Sequence, residues 1–66
     1  MAYRITTMHG ATRAHINCAT KAAVIDALAT YGERVDVLAV LHALISGLEY
    51  VTRVDDVWVI VTPAQH

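Results

Sequence analysis

The sequence predicts an α+β domain of order ββααββ: a small antiparallel sheet of two hairpins with two helices packed on one face. Three observations point there. Residues 3–18 alternate about a Gly-Ala step. Residues 20–47 carry two apolar-striped segments, each with a capping residue before it and a glycine after it. Residues 49–62 are rich in β-branched and aromatic side chains on both sides of an Asp-Asp step.

In the first segment Tyr3, Ile5 and Thr7 alternate with Arg4, Thr6 and Met8, and Ala14, Ile16 and Cys18 alternate with Arg13, His15 and Asn17. A two-residue turn at Gly10-Ala11 pairs Tyr3 with Cys18, Ile5 with Ile16 and Thr7 with Ala14. Glycine in the first position suits a type II′ turn, which needs φ > 0 there. A slip of one residue would destroy the match of inward side chains, so the register is specified.

Thr20 is placed to cap a helix from about 20 to 31. Val24, Ile25, Leu28 and Tyr31 share its stripe, and Gly32 supplies the stop. A second helix follows with Asp36 as N-cap and Val35 stapled onto Val40. At a helical period, Val37, Leu38, Leu41, Leu44, Ile45 and Leu48 fall in one arc with Leu41 at its centre. That arc is expected to face the core, with Asp36, Ala39, His42, Ala43 and Ser46 opposite and Gly47 as stop.

The final segment reads as a hairpin about Asp55-Asp56, pairing Val54 with Val57 and Tyr50 with Val61. Tyr50, Thr52, Val54, Val57, Val59 and Val61 then face the helices. Glu49, Val51, Arg53, Trp58, Ile60 and Thr62 face away. Pro63 is expected to end the strand. Alternation does not give the strand order. A winged helix is the rival arrangement, since two helices followed by a β wing belong to that plan, but it needs a third helix and residues 3–18 do not read as one.

Sixty-six residues leave room for a single domain, 1–66. A chain this short buries roughly 60% of its unfolded surface and is marginal in stability. Cys18 is the single cysteine. An internal disulfide is impossible, and a reducing, cytoplasmic setting is expected. The apolar fraction is 56%, 11 alanines included, which is high for so small a domain and suggests apolar surface left for a partner or a second copy. No stretch fits a signal peptide or a membrane span: the longest run without a charged residue is Val37 to Leu48. A formal net charge of −1 gives no bulk attraction to nucleic acid or anionic lipid. Four arginines to one lysine, no phenylalanine and abundant Ala and Val fit a GC-rich genome, that of a bacterium or of a phage or plasmid within one.

The chemical groups do not gather into a reactive set. His9, His15, His42 and His66 lack metal-ligand spacing. His15 and Cys18, three apart on a strand, face opposite sides. Cys18 points inward and behaves as a small hydrophobe. His42 and Ser46 share a helix side without an orienting acid or oxyanion hole. Asp55 and Asp56 are explained by their turn, and the three glycines by turns and helix stops. No cofactor, no metal site and no enzymatic activity are expected.

The sheet face away from the helices carries the sharper reading. Arg4, Arg13, His15, Val51, Arg53, Trp58 and Ile60 are expected on it, and exposed Trp with Arg is the composition of a binding hot spot. The plainer reading has Arg53 lying on Trp58 as a cross-strand pair and shielding it. The function expected is a small non-enzymatic interaction module that binds another protein and self-associates. The alternative is a nucleic-acid-binding regulator using the same basic and aromatic face. Membrane binding is not expected.

Overall fold

The computed structural model describes residues 2–64, apart from the Glu33 side chain. Strands β1 (Ala2–His9) and β2 (Thr12–Cys18) form the first hairpin. Helices α1 (Lys21–Leu28) and α2 (Val37–Ile45) follow, joined by a 3-10 segment, Ala29–Arg34. Strands β3 (Tyr50–Val54) and β4 (Val57–Ala64) close the chain. All pairings are antiparallel in a four-stranded sheet of order β2-β1-β4-β3. The first and last strands thus meet at its centre, where the β1–β4 ladder runs from Ala2↔Ala64 to His9↔Val57. Residues expected to exclude a third helix are strands, so the winged-helix arrangement does not apply.

Both hairpins adopt the expected registers. Tyr3 pairs with Cys18, Ile5 with Ile16 and Thr7 with Ala14. Gly10 takes φ 60° while Ala11 stays at negative φ, as a type II′ turn requires. In the second hairpin Val54 pairs with Val57 and Tyr50 with Val61. Here Asp55 occupies the left-handed position at φ 54°, where glycine is the favoured residue. Its carboxylate meets Arg34 Nη1 at 2.6 Å, holding the turn to the segment before α2.

The helices sit on one face of the sheet. Thr20 Oγ1 accepts from the Ala23 amide at 3.1 Å and Asp36 Oδ1 from the Ala39 amide at 3.2 Å, so both expected caps form. The α2 stop is a full Schellman motif: the Leu48 amide donates to Ala43 O, the Gly47 amide to Leu44 O, and Gly47 takes φ 74°. The core comprises Tyr3, Ile5, Cys18, Val24, Leu28, Val35, Val40, Leu44, Val54, Val59 and Val61.

Four expectations need correction. First, α1 ends at Leu28 and not near residue 31. The chain tightens into the 3-10 segment and breaks at Gly32 (φ 61°, ψ −137°), which turns Val35 into the core. Second, the core side of α2 is Val40 and Leu44, not the arc centred on Leu41. Leu41 and Val37 are half-buried, and Leu38 and Ile45 are each 73% exposed. The reason lies in the staple. Val35 and Val40 are both buried in the same core cluster, as a staple across Asp36 requires, and this pairing sets the rotation of a helix that is apolar almost all round. Third, Ile16 faces the helix side opposite Ile5 but is half exposed, because it stands on the edge strand β2, which has a neighbouring strand on one side only.

Fourth, β4 runs through Pro63 to Ala64. Hydrogen-bonding direction alternates along a strand, and Val57, Val59 and Val61 point toward β3. Pro63 would point the same way. The β3 ladder starts at Tyr50↔Val61, so no partner stands opposite the missing N–H.

Candidate binding face of the sheet

Side chains alternate across the pleat, so the three ladders determine which residues share the outer face. One row crosses the sheet as Arg13, Met8, Trp58, Arg53. The next is His15, Thr6, Ile60, Val51. The third is Asn17, Arg4, Thr62. All seven residues expected on this face are therefore together: Arg13 and His15 from β2, Arg4 from β1, Ile60 and Trp58 from β4, Val51 and Arg53 from β3. Thr6, Met8 and Thr62 fill the gaps between them. They escaped the sequence reading as site residues because only the β1–β4 pairing brings them to the centre.

No described element lies over this face. Trp58 is 44% exposed and Val51 47%, while Ile60, between them and the centre, is half-buried. The Arg53 guanidinium lies over the Trp58 ring at 5.7 Å from its centroid. Cross-strand stacking and exposure thus coexist: the arginine covers part of the indole and leaves the rest open. Arg53 is also steadied by its own turn, with Nε donating to Asp55 O at 3.0 Å and Nη2 at 3.8 Å from Asp56 Oδ1. Toward the other end, Thr6 Oγ1 and His15 Nδ1 are hydrogen-bonded at 2.9 Å, and Arg4 Nε donates to Asn17 Oδ1 at 3.4 Å.

The charges are unevenly shared. Three of the four arginines and His15 stand on strands and point outward. None of the six acidic residues, Asp26, Glu33, Asp36, Glu49, Asp55 and Asp56, lies within a strand. They occupy helices, caps, loops and the second turn. Within the strands the outer face thereby carries cations and no carboxylates, while Asp56 stands beside Arg53 at the second turn and Glu49 immediately precedes β3.

Other chemistry-bearing groups are dispersed. Cys18 is buried beneath the helices, while His15 lies on the outer face. His9 ends β1 and His42 is exposed on α2; His66 lies outside the described residues. Among the described residues no three His, Cys, Asp or Glu side chains are grouped to hold a metal ion, and no helix is long and apolar enough to cross a membrane. Two shallow depressions open beside Tyr3, and the ionisable residues lining them are Tyr3, Arg4 and Lys21. Lys21 Nζ sits 5.9 Å from the Tyr3 ring centroid, a contact that covers the buried aromatic's edge of the core.

Comparison of the chain with protein-family models, with curated proteins and with solved structures returns no match.

Proposed function

We propose that this chain is a non-enzymatic interaction module whose outer sheet face binds a protein partner bearing carboxylates around an apolar centre. The observation that carries the reading is the arrangement of Trp58, Ile60 and Val51 on an uncovered sheet, framed by Arg13, Arg53 and Arg4 with no carboxylate at any strand position. An aromatic anchor beside arginines matches the residue types that dominate binding energy at protein interfaces. The partner's apolar centre covers the indole, and its carboxylates meet the arginines in a bidentate geometry that guanidinium favours.

The same cationic face supports a second reading, single-stranded nucleic acid, which such faces bind through phosphates and base stacking. The position of Arg53 favours the first: its guanidinium lies over part of the Trp58 ring and narrows the area on which a flat base would stack.

The test is capture from a lysate of the native host with the wild-type chain and with Trp58→Ala, together with titration of mixed-sequence single-stranded DNA and RNA. A protein retained by the wild type and lost with Trp58→Ala, with binding that survives moderate salt, supports the proposal. Tight oligonucleotide binding that quenches Trp58 and falls steeply with salt would replace it with the nucleic-acid reading.

A further inference from the structure

We propose that the β3 edge and the flank of α2 beside it form a self-association surface, on which a second copy of this chain docks about a two-fold axis through Val51. This surface shares Val51 and Arg53 with the outer sheet face and adds the flank of α2, and the inference does not depend on what that face binds.

The first observation is where the unburied apolar side chains lie. Among the described residues Leu38 and Ile45 are the two most exposed large apolar side chains, and Leu48 follows at 62%. With half-buried Leu41, they belong to α2 and to the loop that leaves it toward β3. α1 packs against β1 and β2, α2 against β3 and β4, and the two helices pack together. At a helical period the half-buried Ala39 and Ala43 fall on one flank of α2, and Leu38, Leu41 and Ile45 on the other. We take the small-residue flank as the one that α1 approaches, which sets Leu38, Leu41 and Ile45 toward the β3 side.

The second observation is the backbone of that edge. Val54, Thr52 and Tyr50 are the β3 residues whose amides and carbonyls turn toward β4 in a hairpin closed by a two-residue turn. Glu49, Val51 and Arg53 turn theirs outward. Antiparallel self-pairing centred on Val51 sets Val51 opposite its own copy and Glu49 opposite Arg53 of the second copy, twice over. Each charged pair joins opposite signs, and opposite charges across strands are favourable where like charges are not. Arg53 remains largely exposed beside its own Asp56, so its guanidinium has room for a further carboxylate. The helix-side residues Tyr50 and Thr52 meet across the same seam.

The third observation is a matter of distance. α2 packs on both β3 and β4, so its axis projects near the line between them. The two-fold seam lies half a strand spacing beyond β3. The two α2 helices then stand about two strand spacings apart, roughly 9–10 Å. That is the separation at which packed helices interlock their side chains, about 8–10 Å. One docking movement therefore joins the two sheets into one of eight strands and closes Leu38, Leu41, Ile45 and Leu48 against their copies.

The experiment is sedimentation of the full chain over a concentration series, for the wild type and for variants with unchanged far-ultraviolet circular dichroism. The wild type is expected to be a dimer that dissociates in the micromolar range. Ile45→Glu and Leu38→Glu, both at exposed positions, should raise the dissociation constant at least about tenfold. Val51→Pro should do the same by removing an outward N–H that β4 does not use. Glu49→Arg and Arg53→Glu should each weaken the dimer, and the two together should restore much of it. A wild-type chain that is monomeric at millimolar concentration would overturn the proposal. So would a dimer indifferent to Ile45→Glu, or one abolished by Trp58→Ala alone, which would place the contact on the outer face. A monomer that binds a different host protein through Ile45 would overturn the second copy as occupant.

Discussion

The two faces of the sheet come from the same four strands and often from neighbouring residues, yet they do opposite things. On the helix side Ile5, Val59 and Val61 are almost completely withdrawn from water. One residue away on each strand, Arg4, Trp58 and Ile60 stand on a face that no helix covers. The first set is uniformly aliphatic and contributes folding free energy through burial. The second mixes cations, an indole and short polar residues, and it is arranged in rows by the ladders. The difference teaches that the stability of this domain and the make-up of its open outer face are separable by a single step along a strand. Substitutions that respect that step should affect one property and spare the other.

The largest effect should come from the buried side. Ile5→Ala removes a fully buried central-strand side chain on the helix side of the sheet and should cost about 2–5 kcal/mol, enough to unfold much of a marginal domain. Thermal or urea denaturation measures it, and a cost below about 1 kcal/mol would contradict the division of faces. Smaller is the loss expected at the helix caps. Asp36→Ala removes the acceptor for the Ala39 amide at the start of α2 and should cost about 0.5–2 kcal/mol, in the same melts, without disturbing either sheet face.

Smaller still in stability, but not in function, is Trp58→Ala. The lost stacking on Arg53 is worth about 0.5–1 kcal/mol at an exposed site. Partner capture should nonetheless disappear, which a pull-down with the folded variant checks. The least effect is expected from Asp55→Asn. Asparagine tolerates the left-handed backbone as aspartate does, and only the exposed ion pair with Arg34 is lost, about 0–1 kcal/mol. Raised salt in the wild type should reproduce that loss, so the two melts should converge as ionic strength rises.

Legibility in the sequence followed the range of the interaction. Both hairpins are local: Gly10 can take the turn's positive φ, and the inward residues match only in one register. The caps at Thr20 and Asp36 and the stop at Gly47 are local as well. The pairing of β1 with β4 joins residues 2–9 to residues 57–64, and no turn announces it, so the order β2-β1-β4-β3 had no signature in the chain. The strand past Pro63 depended on that same order. The rotation of α2 was obscured by composition. His42 is its lone polar interior residue, so several arcs look equally apolar, and the Val35–Val40 staple was the signal that chose among them. The members of the outer face were readable from alternation within each hairpin, whereas Met8 and Thr6 became central only when the two hairpins joined. The exposed flank of α2 is hidden in the sequence by the same composition: Leu38 and Ile45 look like core until the staple turns them outward.

The most direct measurement uses Trp58, the single tryptophan of the chain, as a reporter of the face it stands on. Its emission should be that of a partly hydrated indole. Anionic iodide should quench it more efficiently than cationic caesium at low ionic strength, because Arg13 and Arg53 flank it in the same row. The two quenching slopes should approach each other as inert salt is added. A blue-shifted emission that neither ion quenches, or caesium quenching equal to iodide quenching at low salt, would contradict an open cationic face.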